Sequence, residues 1–314
     1  MARPSPTDPT LSPLLLASLL GLTALVAARV RAAHRRGERV GGWRAASLAG
    51  AIVLVAISLV SPLATLAGGY LLTAHLAQVT LLMGFAPPLL LLGLPRPVRG
   101  RRTSRPLTWA FEAAVHPAVA IVLVNAVLFG WHDPAIYNAS LAHPELYALQ
   151  LLSLFAVSVA FWWSIIEPDG RGPRSLPPLL KLGYILLATI PQTFAGLIFA
   201  LAHHPFYSGY ASAPELLGMT HLSDQQIAGA CMALVSKLAL FAAFSVILWR
   251  MLESEALDGE TPDDGSDGGG GDDDREPAPV SPPSPAWLGM LETGPFAEEP
   301  EAPSRSREPI ATGG

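Results

Sequence analysis

Charge is scarce in this chain. Asp, Glu, Lys and Arg make up 14% of its 314 residues, against about 25% in ordinary soluble domains. That shortage excludes a typical soluble enzyme and a nucleic-acid binder. Cysteine is nearly absent. Cys231 stands alone, so no disulfide can close within the chain and no Cys-x-x-Cys site exists. Any metal site must be built from His, Met or carboxylate. Lysine occurs twice, at Lys181 and Lys237. The catalytic patterns His-Glu-x-x-His and Gly-x-Ser-x-Gly are missing too, which leaves enzyme as the least supported class.

What is present is apolar. Hydrophobic residues reach 51% and mean hydropathy is +0.40. A bilayer core about 30 Å thick needs roughly 20 mostly apolar residues to span it as a helix. Seven segments qualify: 11–28, 45–66, 70–93, 114–130, 145–166, 178–201 and 224–249. Lipid offers no hydrogen-bond partners, so each is expected to be a helix. The expected fold is an all-α polytopic membrane bundle formed by residues 1–252. Residues 253–314 differ in kind. They carry 16 of the 25 acidic residues and 3 of the 20 basic ones, and are rich in Pro and Gly. Such a segment buries too little apolar surface to fold alone and is expected to be a solvated tail.

The basic residues set the expected orientation. Arg29 to Arg44, Arg96 to Arg105, Arg171 to Lys181, and Arg250 all fall in alternate loops, while the opposite loops hold no Lys or Arg. The positive-inside rule places the N-terminus outside and the C-terminus in the cytoplasm. The same rule argues against cleavage of residues 1–28 as a signal peptide, because it would leave the Arg29–Arg44 cluster outside. The localisation expected is a bacterial plasma membrane.

Histidine carries most of the chemistry. His75 lies within span three. His132 and His143 fall in the loop after span four. His203, His204 and His221 fall in the loop before span seven, with Met219 beside them. Imidazole with nearby thioether suits copper, although loop histidines are often mere surface polarity. An ionisable residue inside a span, as at His75, is a functional candidate by default. Lys237 within the last span has the outline of a retinal Schiff-base lysine. Span three, however, offers no Asp or Glu as a counter-ion. Lys237 is therefore read as snorkelling or bonded to Asn125 or to carbonyls. Asp224 is read as a helix cap or as a partner to a histidine. Pro87 and Pro88 are expected to free backbone carbonyls and to bend or end their helix.

Four strings then point to a family. They are His75-Leu76-Ala77-Gln78 leading to Ala86-Pro87-Pro88, Trp131-His132-Asp133-Pro134, Phe161-Trp162-Trp163, and Asp224-Gln225-Gln226 running to Met232. In order and spacing they resemble the CtaG-like cytochrome c oxidase assembly factors, from about Trp43 to Arg250. The resemblance implies a non-enzymatic membrane protein that helps mature a haem–copper oxidase, contacts an oxidase subunit and handles copper at the outer face. It maps ligand roles onto His75 and His132, and supporting roles onto Gln78, Trp131, Asp224 and Gln225. Two positions depart from the family pattern. Val79 stands where a second His is expected, and Gln150-Leu151 stands where another follows Leu-Glu. Further copper ligands would then come from His143, His203, His204, His221 or Met219. The alternatives are a divergent, copper-free scaffold for oxidase subunits and a small-solute transporter. Against the transporter, no paired broken helices are evident.

Overall fold

The computed structural model describes residues 5–10, 12–95, 105–168 and 175–259, with backbone only for 105–108 and 255–259. Every regular element among the described residues is helical. The twelve α-helices are α1 (Pro13–His34), α2 (Gly42–Val60), α3 (Pro62–Gly69), α4 (Leu72–Thr80), α5 (Ala86–Gly93), α6 (Arg105–Ala114), α7 (Pro117–His132), α8 (Pro134–Ala142), α9 (Pro144–Ile166), α10 (Pro178–Ala200), α11 (His221–Ala233) and α12 (Leu238–Gly259). Among the described residues six segments are long and apolar enough to cross a membrane, and α7 with α8 makes a seventh if that bent pair is one span. The chain is a multi-pass membrane protein. Large apolar residues on the outer surface, among them Leu20, Leu187, Phe194, Ile198 and Phe241, have lipid as their natural partner.

Three spans depart from the simple helices expected. Span two ends at Val60, because Ser61 is extended and Pro62 starts a new short helix capped by the Ser61 hydroxyl. Span four is broken. Helix α7 has 16 residues, which rise about 24 Å and fall short of a bilayer core. Asp133 ends it and caps α8, accepting from the Ala135 and Ile136 nitrogens at 3.0 and 3.2 Å. Pro134 fills the first helical position, where its missing N–H costs nothing. The two helices meet at 71°. Span seven is interrupted by a single tight turn at Val235–Lys237. Helix α12 runs on to Gly259, and the rest of the acidic segment, with its Trp287–Leu291 patch, lies outside the described residues.

Span three shows how the sequence handles its prolines. Leu81–Phe85 forms a π-helical turn between α4 and α5. The Met83 carbonyl would normally accept from residue 87 in an α-helix or 88 in a π-turn. Both are proline and have no N–H. Helix α9 supplies the missing donors: Ser158 Oγ at 2.5 Å and Trp162 Nε1 at 2.9 Å. The prolines therefore free a carbonyl, as expected, but the helix continues through them to Gly93.

Helices α10 and α11 cross closely. A Cβ on Gly196 would lie 2.7 Å from the Ala233 nitrogen and 2.8 Å from the Gly229 carbonyl oxygen. Gly196 and Ala200 on one helix meet Gly229 and Ala233 on the other, the small-residue spacing that lets membrane helices approach.

Candidate metal site

Two histidines are brought together at one end of the bundle. The ring centroids of His75 and His132 lie 6.0 Å apart. His75 is 0% exposed and His132 is 6% exposed. His132 is not in a loop, as the sequence suggested, but is the buried last residue of α7. The bend at Asp133 then returns the chain along α8, which sets Tyr137 against both rings. Its centroid is 4.9 Å from that of His75 and 6.2 Å from that of His132.

The hydrogen bonds fix which nitrogen of each ring carries the proton. For His75 the chain of assignments starts at the Ser58 carbonyl, which can only accept. Gln78 Nε2 must donate to it, at 2.6 Å. Gln78 Oε1 is then the acceptor for the Tyr147 hydroxyl at 2.7 Å. With its proton committed, Tyr147 Oη must accept from His75 Nδ1–H, at 3.3 Å. His75 Nε2 therefore holds the lone pair, and the neighbouring Gln150 amide donates to it at 3.5 Å. The opposite end of that amide, Gln150 Oε1, accepts from Ser140 Oγ at 3.0 Å.

His132 reaches the same state by a shorter route. Its Nδ1–H donates to the Leu128 carbonyl at 2.7 Å. Its Nε2 is buried and has no hydrogen-bond partner. Leaving a buried acceptor unpaired costs about 1–3 kcal/mol, and such an orphan calls for a functional explanation. A neutral imidazole whose Nδ1–H is held by a carbonyl or hydroxyl presents Nε2 to a metal. Both rings meet that description.

The supporting residues belong mostly to architecture. Asp224 is buried and caps α4 from outside, accepting from the Leu72 and Thr73 nitrogens at 2.6 and 3.0 Å. It neither caps its own helix, which Thr220 does through the Ser223 nitrogen, nor bonds a histidine. It anchors the turn that carries His75. Gln225 pins the loop between α10 and α11, accepting from the Phe206 nitrogen at 2.7 Å and donating to the His204 carbonyl at 3.2 Å. Trp131 Nε1 donates to Ser153 Oγ at 2.9 Å. Gln78 is the one supporting residue that reaches a ligand, through Tyr147.

That loop closes over the pair. Tyr207 donates to the His132 carbonyl at 2.8 Å. Tyr210 donates to the Ala67 carbonyl and accepts from Tyr137, both at 2.6 Å. Burial pushes the Tyr207 and Tyr210 phenols above the usual tyrosine range, so both stay neutral donors. The other sequence candidates remain outside. His143, His203 and His204 are exposed, and His221 and Met219 are half-buried. Among the described residues no group of three or more His, Cys, Asp or Glu is placed to hold an ion. Val79 lies in the apolar cluster with Leu76 and Leu128, and Leu151 lies in a different cluster against α1 and α2. Of the Gln150-Leu151 pair it is Gln150 that faces His75.

Tyr147, Tyr207 and Tyr210 were missed from sequence, and Gln150 was read only as the place of an absent His. A signal existed for Tyr147 and Gln150. Tyr147 and Gln150 are three residues apart on one face of α9, inside a mostly apolar span. Lys237 Nζ donates to the Met232 carbonyl at 3.0 Å, to Ser236 Oγ at 2.8 Å and to Gln192 Oε1 at 3.4 Å. It thus bonds a carbonyl as expected, but with Gln192 rather than Asn125 as its side-chain partner from another helix.

A family model described as cytochrome c oxidase caa3 assembly factor (Caa3_CtaG) matches residues 24–254. No curated protein and no solved structure gives a significant match.

Proposed function

Since this chain belongs to the cytochrome c oxidase caa3 assembly factor family, we propose that it helps mature a haem–copper oxidase by holding copper between His75 and His132. The buried, unpartnered Nε2 of His132 beside His75 carries this reading. Imidazole nitrogens are suitable copper donors. Two of them make a site from which cargo can leave by ligand exchange, which transfer to an oxidase subunit requires. The Arg distribution read by the positive-inside rule supports a site at the outer face of a bacterial plasma membrane. The role is non-catalytic: the chain holds and presents copper, and no reaction is asked of it.

The absence of a third His, Cys, Asp or Glu beside the pair, among the described residues, also favours a copper-free scaffold. Complementation separates the two. In a strain lacking this protein, His75→Ala and His132→Ala should accumulate in the membrane yet fail to restore oxidase activity, and added copper should partly rescue them. Full restoration by both variants at limiting copper would favour the scaffold.

A further inference from the structure

We propose that this site is selective for a soft, monovalent, two-coordinate cation, the cuprous ion, and that Gln150 is the residue that keeps divalent ions out. The inference rests on the copper reading above and adds the charge and coordination number of the cargo.

The donor set comes first. Two lone pairs are at hand, at His75 Nε2, which accepts from Gln150, and at His132 Nε2, which has no partner. The hydroxyl protons around them are committed. Tyr147 donates to Gln78, Tyr137 donates to Tyr210, Tyr210 donates to Ala67, and Tyr207 donates to the His132 carbonyl. No carboxylate or thiolate joins the pair among the described residues. Zinc is almost always four-coordinate in proteins, and cupric ion takes a tetragonal nitrogen and oxygen set. Neither finds its ligands here. A cuprous or silver ion is satisfied by two imidazoles.

Charge argues the same way. The pair is buried, and desolvating an ion in a low-dielectric interior is costly unless opposite charge is at hand. That cost rises with the square of the ion's charge, and neutral imidazoles offer no compensating negative charge. The Tyr137 ring, set against both histidines, offers only the weaker attraction of an aromatic face.

Gln150 adds the discriminating element. Its amide N–H approaches His75 Nε2 at 3.5 Å, and Ser140 holds the far end of the amide. It therefore places a donor dipole at the lone pair that an ion must take. That dipole opposes any incoming cation and competes for the lone pair, so it weakens binding and favours release. Replacing it with a carboxylate of the same length reverses both the dipole and the charge.

The test uses the full chain purified in detergent. It is titrated with Cu(I) against a chromophoric chelator, and separately with Ag(I), Zn(II) and Cu(II). Wild type should bind one Cu(I) or Ag(I) per chain, and Zn(II) and Cu(II) roughly 100-fold more weakly, because those ions lack two of their four ligands. Gln150→Glu should gain at least about 10-fold in Zn(II) affinity. Thermal unfolding of each variant checks that it is folded, and Gln150→Leu keeps the question open if Gln150→Glu is not. The leucine variant removes the donor dipole and should tighten Cu(I) binding without admitting Zn(II). Zn(II) bound as tightly as Cu(I) by wild type, and lost in His75→Ala, overturns the selectivity while leaving a histidine metal site. Wild-type selectivity unchanged by either Gln150 variant overturns the role of Gln150. No binding of any of the four ions overturns the copper reading itself.

Discussion

Replacing Tyr147 with Phe removes one oxygen and breaks the relay that sets the His75 tautomer. In the native chain that oxygen accepts from His75 Nδ1–H and donates to Gln78 Oε1. The variant strands a buried donor and a buried acceptor, each at about 1–3 kcal/mol. The His75 contact is long at 3.3 Å and was worth less, so the expected destabilisation is roughly 2–4 kcal/mol. The second effect is on the metal. With Nδ1–H released, the proton can move to Nε2, where it blocks the lone pair. Loss of a group that orients a metal-binding imidazole typically weakens binding about 10-fold to 100-fold. Tyr184→Phe is the control, since its hydroxyl donates to the Phe161 carbonyl, away from the histidines. Both variants should unfold earlier than wild type in detergent, and only Tyr147→Phe should lose Cu(I) affinity. Unchanged Cu(I) affinity in a folded Tyr147→Phe protein would refute the tautomer argument.

The same reasoning extends to the helices that hold the site. Asp224→Ala should cost about 3 kcal/mol by stranding the Leu72 and Thr73 N–H groups, and Asn should cost less because it keeps one acceptor; unfolding midpoints rank the three proteins. Gly196→Val should destabilise by at least about 1–3 kcal/mol, because even its Cβ meets backbone at 2.7 Å; a wild-type melting curve would contradict that crossing. Ser158→Ala and Trp162→Phe each leave the Met83 carbonyl one donor. The double variant leaves it none, so a double-mutant cycle should show a loss larger than the sum by about 0.5–3 kcal/mol.

Much of this structure could be read in the sequence because a bilayer makes few demands and makes them strictly. Apolar length located the spans, and an imidazole inside one of them singled out His75. His132 was placed in a loop because the apolar run was ended at residue 130. Asp133-Pro134 stops the helix two residues later, the chain turns back there, and the stop buries the residue before it. Asp224 was read as a cap of its own helix, because capping is ordinarily local, or as a partner to a histidine. Here the capped nitrogens belong to Leu72 and Thr73, about 150 positions away. Pairing at that distance follows from how the helices pack, which periodicity does not encode. Gln150 was read as the loss of a ligand, whereas its position facing His75 makes it part of the site.

The most direct test of the central claim is the X-ray absorption spectrum of the protein loaded with one equivalent of Cu(I). Two imidazole nitrogens and no sulfur should surround the metal, and the imidazole scattering should fall in both His75→Ala and His132→Ala. Thioether sulfur at the metal, or a spectrum indifferent to both substitutions, would place copper elsewhere and contradict the account.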